Sequence, residues 1–135
     1  MYSNGIVQRK FALLDEYLIQ LQNHLADVDF EQFKDDWVLR CAAERALQVI
    51  AEIVIDVTQR TLALANAGPS ASAAEALHKA EQLNIVRDAS LYLPIVRFRN
   101  LVVHEYERID PRVLYDICQN HLERVRGFRE EIERP

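Results

Sequence analysis

Glycine and proline are scarce in this chain, three and four among 135 residues. That scarcity argues against a many-turned β architecture, whose tight reversals lean on those two residues. The two cysteines, Cys41 and Cys118, stand far apart and show no C-x-x-C spacing. A disulfide framework and a cysteine-ligated zinc centre are therefore both disfavoured. Because each lies in a helical pattern, buried free thiols are expected. No apolar run reaches the roughly 20 residues that a spanning helix needs. The first residues also lack the basic, apolar and small-residue succession of a secretory signal, so a cytoplasmic protein with no membrane partner is expected. Positive charge is not in excess either: 16 Lys and Arg stand against 21 Asp and Glu, a net charge of −5. Coating of nucleic acid through a broad basic surface is disfavoured, whereas a local phosphate site is not.

Half of the residues are hydrophobic and 27% are charged, the balance of a soluble globular protein. The length suits a single domain spanning 1–135. Apolar residues at three- and four-residue intervals place a first helix over about Ile6 to Ala26, with Phe11, Leu14, Leu18, Leu21 and Leu25 facing inward. An acidic connection follows from Asp27 to Asp36. A long second helix runs to Asn66, with Leu39, Ala42, Ala46, Val49, Ile50, Ile53 and Val57 on its apolar side. Asn66-Ala67-Gly68-Pro69 stops it, since asparagine tolerates left-handed geometry and proline cannot continue the ladder. Ser72 with Glu75 forms a capping-box pattern for a short third helix to about Leu83. The fourth helix is expected from Val86 to Tyr106, kinked at Pro94. Asp110-Pro111, an N-cap followed by proline at the first helical position, opens a fifth. It runs to about Glu133 with Val113, Leu114, Ile117, Cys118, Leu122, Val125 and Phe128 inward. The fold class is therefore all-α, an up-and-down bundle of about five helices.

The segment Arg99-Asn100-Leu101-Val102-Val103-His104-Glu105-Tyr106 carries the chemistry. A helix advances about 100° per residue, so Arg99 and Tyr106 fall nearly in line two turns apart, with Asn100 and His104 in the adjacent row. Leu101 and Val102 point elsewhere and are expected to anchor the helix in the core, which would keep the polar set on a rigid element. Such a set can bind and cleave a phosphodiester. Histidine exchanges protons near neutrality, and arginine holds phosphate through paired hydrogen bonds. Asn100 can orient His104 or a phosphate.

Arg99-Asn100, His104 and Tyr106 follow the pattern R-x-x-x-x-H-x-Y. With Phe98 before the arginine, Glu44-Arg45 and Gln48 on a long second helix and Asp110 opening the last one, the chain resembles the HepT-like toxins of the HEPN superfamily along nearly its whole length. The resemblance implies a HEPN-like homodimer whose two motif helices line one cleft, and a metal-independent endoribonuclease with Arg99 and His104 catalytic and Asn100 supporting. It also implies a small nucleotidyltransferase antitoxin that silences the toxin by adenylylating Tyr106. RNA, the substrate so implied, brings its own nucleophile, the 2′-hydroxyl, so the enzyme need only help remove that proton, stabilise charge on the phosphoryl oxygens and protonate the leaving 5′-oxygen. No metal or cofactor is called for, and in the dimer one His104 can serve as base and its mate as acid. The alternative is a non-catalytic helical nucleotide-binding or adaptor partner of a nucleotidyltransferase subunit, because phosphate binding and phosphate cleavage use the same residue types.

Other polar residues remain open. The row Arg45, Gln48, Glu52, Asp56 and Gln59 reads as a solvent face, or else Arg45 and Gln48 line the cleft opposite the motif. Arg97, Arg108 and Arg112 either guide an RNA backbone or are ordinary surface charge. His24, His78 and His121 show no metal-ligand spacing and are expected at the surface or half-buried.

Overall fold

The first helix forms where the apolar spacing places it. In the computed structural model, which describes residues 5–104 and 109–134 apart from the side chains of residues 102–104, α1 spans Gly5–Leu25 and buries Val7, Phe11, Leu14, Leu18, Leu21 and Leu25. The acidic connection is not all loop, because α2 (Phe30–Asp35) lies inside it. Asp29 caps this helix by accepting from Gln32 N–H at 2.8 Å, and the Gln32 side chain accepts from Asp29 N–H at 3.0 Å. That closed capping box explains a helix too short to show a hydrophobic period. One residue later Asp36 accepts from Leu39 N–H at 3.0 Å and starts α3 (Trp37–Leu64).

α3 is the 28-residue spine, in contact with α1, α4 (Ala73–Gln82) and α5 (Leu93–His104). Its buried line runs through Ala43, Leu47, Ile50, Val54 and Val57, whereas Ala42, expected inward, is exposed. Alanine on a mixed helix gives little phase information, and the neighbours of α3 decide which way it turns. The helix ends as its sequence implies: Asn66 takes a φ of 57°, and Ala67 N–H donates back to the Leu62 carbonyl at 2.9 Å. Ser72 Oγ caps α4 by accepting from Glu75 N–H at 3.1 Å, but the Glu75 carboxylate accepts from Ala71 N–H at 2.9 Å rather than closing the box on Ser72.

Two expectations for the second half change. A 3₁₀ turn over Ala89–Leu91 precedes α5, so Pro94 is the second residue of that helix instead of an interior kink. Proline is accommodated there because first-turn N–H groups have no partner within the helix. The expected fifth helix is three pieces, α6 (Pro111–Asn120), α7 (Leu122–Val125) and α8 (Phe128–Glu133), with breaks at His121, whose φ is −116°, and around Gly127. Its start is as expected: Asp110 Oδ1 accepts from Arg112 N–H at 2.9 Å and Pro111 opens the helix. Val113, expected inward, is 40% exposed. The result is an all-α up-and-down bundle, and among the described residues no helix is long and apolar enough to cross a membrane.

One aromatic cluster ties the chain's two ends to the entrance of α5. Phe128 packs edge-on against Tyr92 at 5.2 Å and against Phe11 at 6.4 Å between ring centroids. The Tyr92 hydroxyl donates to Glu131, whose carboxylate also accepts from Arg87 N–H at 3.0 Å. Burial, with the Glu131 carboxylate beside it, holds the Tyr92 phenol far above its ordinary pKa, so it stays a neutral donor. Arg129 on α8 reaches Asp15 on α1 at 2.7 Å. These contacts fix the level at which α5 leaves the core.

Candidate functional site

α5 is held by Ile95, Val96 and Phe98, each at most 1% exposed. Burial of three such side chains sets the rotation of the helix. Arg97 and Asn100 are then exposed and Arg99 is half-buried. Leu101, expected as an anchor, is 39% exposed, because it follows Arg97 by one turn and shares its outward stripe. His104 is the last residue of α5. Its side chain, the Val102 side chain, Tyr106 and Arg108 lie outside the described residues, so the expected alignment of Arg99 with Tyr106 falls there too.

The partner of Arg99 comes from α3. Its Nε donates to Glu52 Oε1 at 2.9 Å, joining residues 47 apart in the chain. Glu52 stood in the polar row as a solvent-facing residue, and no local signal singles it out, since every fourth position of that row is polar. The row itself is a surface feature shared between neighbours. Asp56, one turn on, binds Lys10 of α1 at 3.0 Å and Arg60 at 2.8 Å. Burial raises the Asp56 pKa, but hydrogen bonds from Arg60 and Lys10 outweigh it and hold the carboxyl below its usual range. Arg45 is exposed and lines a groove of about 280 Å³ between α1 and α3, together with Tyr17, Leu21, Leu39 and Ala46.

The remaining candidates separate by their contacts. The Arg112 guanidinium stacks 3.6 Å above the centre of the Phe30 ring, which gives it a packing role. His24 and His78 are exposed, and His121 is half-buried with Nε2 3.7 Å from Asp116. Among the described residues no group of three His, Cys, Asp or Glu side chains is placed to hold a metal ion. Cys118 is buried, and that burial pushes its thiol up to about 12. Cys41 is exposed, contrary to expectation, since it lies one turn from both Trp37 and Arg45 on the outward stripe of α3.

This arrangement presents a guanidinium and an amide from a packed helix, with the arginine braced by a carboxylate on the neighbouring one. It is suited to binding a phosphate. The profile of the family described as Ribonuclease HepT-like matches residues 14–132. The tRNA nuclease HepT of Aphanizomenon flos-aquae is 26% identical over 112 residues, covering 82% of this chain and 76% of that protein. The mRNA nuclease HepT of Shewanella oneidensis is 24% identical over 132 residues, covering 96% and 98%. A solved structure of a tri-AMPylated Shewanella oneidensis HEPN toxin in complex with MNT antitoxin superimposes with a TM-score of 0.84 at 24% identity, over 98% of this chain and 100% of that one.

Proposed function

The chain belongs to the HepT-like ribonuclease family, and from that premise we propose that it is the toxin of a toxin–antitoxin pair, a metal-independent endoribonuclease acting in the cytoplasm through Arg99 and His104. The observation that carries the reading is Arg99, five residues before His104, half-buried on a helix locked by Ile95, Val96 and Phe98 and held by Glu52 of α3. A guanidinium so braced binds the scissile phosphate and meets the charge growing on its oxygens. His104 moves the proton between the 2′-hydroxyl and the leaving 5′-oxygen, and Asn100 orients the imidazole or the phosphate. Two copies of the chain pair across the motif helix, which covers the exposed Leu101 and supplies a second His104. The RNA-cutting relatives and the neighbour bound to its antitoxin support this reading.

Purified, unmodified protein should cut RNA in the presence of a chelator and leave 2′,3′-cyclic phosphate ends, detected by 3′ ends that resist phosphatase until the ring is opened with acid and that can be labelled only once the phosphate is removed. RNA binding without cutting would overturn the reading in favour of a non-catalytic adaptor of a nucleotidyltransferase.

Control is assigned to Tyr106, whose adenylylation by a small nucleotidyltransferase antitoxin would set a phosphate and a bulky nucleoside beside the site. Tyr106→Phe loses the acceptor oxygen. This variant should stay toxic when the cognate antitoxin is co-expressed, while the parent gains adenylyl mass on the peptide containing Tyr106. Equal neutralisation of both would sink the modification claim and leave simple protein binding as the control.

A further inference from the structure

The Arg99–Glu52 pair is half exposed, with 32% of the arginine side chain and 48% of the carboxylate side chain open to solvent. Ion pairs of that exposure contribute little to folding stability, and α5 is already packed on α3 through apolar side chains. The pair therefore calls for another purpose. Asp56, the next carboxylate on the same stripe, is met by two cations on α1 and α3, whereas the described partner of Glu52 is the motif arginine across the bundle. The bond is also specific in its geometry. Glu52 takes Nε, the inner nitrogen of the guanidinium, and among the described residues Arg99 makes no other side-chain hydrogen bond.

We propose that Glu52 is a positioning residue for the ribonuclease reaction: it holds Arg99 side-on through Nε, so that the two terminal nitrogens form the fork that receives the phosphate. The proposal rests on reading Arg99 as the phosphate-binding arginine. Arginine has many rotamers, and an unheld one at a half-open surface must be ordered each time substrate arrives. A carboxylate on Nε pre-sets the plane of the guanidinium before RNA binds, and small misplacements of a binding group are costly in rate. A single carboxylate at this exposure orients the cation without cancelling its attraction for phosphate.

Glu52→Ala removes the hold, and Glu52→Gln keeps an amide oxygen that can accept the same hydrogen bond. Glu52→Ala should lower kcat by about 10- to 100-fold with KM moved far less and the thermal midpoint unchanged, while Glu52→Gln keeps most of the activity. The Arg99 Nε–H proton, followed by NMR in the full-length protein, should exchange slowly with water in the wild type and in Glu52→Gln, and fast in Glu52→Ala. Wild-type cutting by Glu52→Ala would overturn the proposal, as would equal loss in both variants or the same Nε–H exchange in all three proteins. A wild-type protein that shows the slow Nε–H proton but cuts no RNA would instead overturn the ribonuclease reading, and with it the catalytic purpose of the hold.

Discussion

RNA cleavage by the His104→Ala protein should fall about 10²- to 10⁴-fold, the range lost when a proton-transfer group is removed from a transition state. Arg99→Ala should cost about 10²- to 10³-fold, as removal of a preorganised donor to a developing oxyanion does. Both losses should appear in kcat at saturating RNA, because the roles proposed for the two groups lie in charge and protons that move in the reaction. The fold should be indifferent to the arginine. Arg99 is half-buried and its ion pair is partly open to solvent, so losing it takes roughly 0–1 kcal/mol from stability. Helical circular dichroism should therefore match the wild type for Arg99→Ala while cleavage falls by that factor. Activity surviving either substitution removes that residue from the mechanism.

Phe128→Ala should have the opposite profile, a large loss of stability from a residue that touches no substrate. Phe128 is fully buried and packs edge-on against both Tyr92 and Phe11. Truncating a buried phenylalanine costs roughly 3–5 kcal/mol through lost burial and the cavity left behind, to which the aromatic contacts add. Against a total of about 5–15 kcal/mol for a domain, that is a large fraction. Denaturant titration should show a much lower midpoint at similar slope. Leu83→Ala, at a position 48% exposed, should move it little and serves as the control. A loss below about 1 kcal/mol for Phe128→Ala would mean that the Tyr92–Phe128–Phe11 cluster does not hold the bundle together. Because Tyr92 immediately precedes α5, the same variant tests whether the motif helix depends on the packing of the chain's C-terminal end.

Much of the fold is local information, and that part was legible in the residues themselves. Asp110-Pro111 starts a helix because the Asp110 carboxylate satisfies an N–H two residues on and proline gives up a donor that would have had no partner. Asn66 stops one because its side chain tolerates φ near 57°. The α1 stripe from Phe11 to Leu25 shows its period so strongly that all of its members are buried. The spacing of Arg99 and His104 is by itself a weak signal, and the two become candidates only through Phe98, Asn100, Tyr106 and the helix order along the whole chain.

What the sequence by itself determined is thus the all-α class, the helix starts and stops and the candidate catalytic residues on one helix, since each depends on groups within a few positions of one another. The tertiary structure alone decided which way α3 and α5 turn. Ala42, Cys41 and Leu101 came out exposed because the phase of a mixed helix is set by the neighbours it packs against, not by its own alternation. Only that packing could bring Glu52 to Arg99 across 47 residues of chain. An interaction at that separation leaves no trace in local periodicity, because the two side chains meet only after α3 has been turned by the burial of Leu47, Ile50 and Val54 and α5 by that of Ile95, Val96 and Phe98.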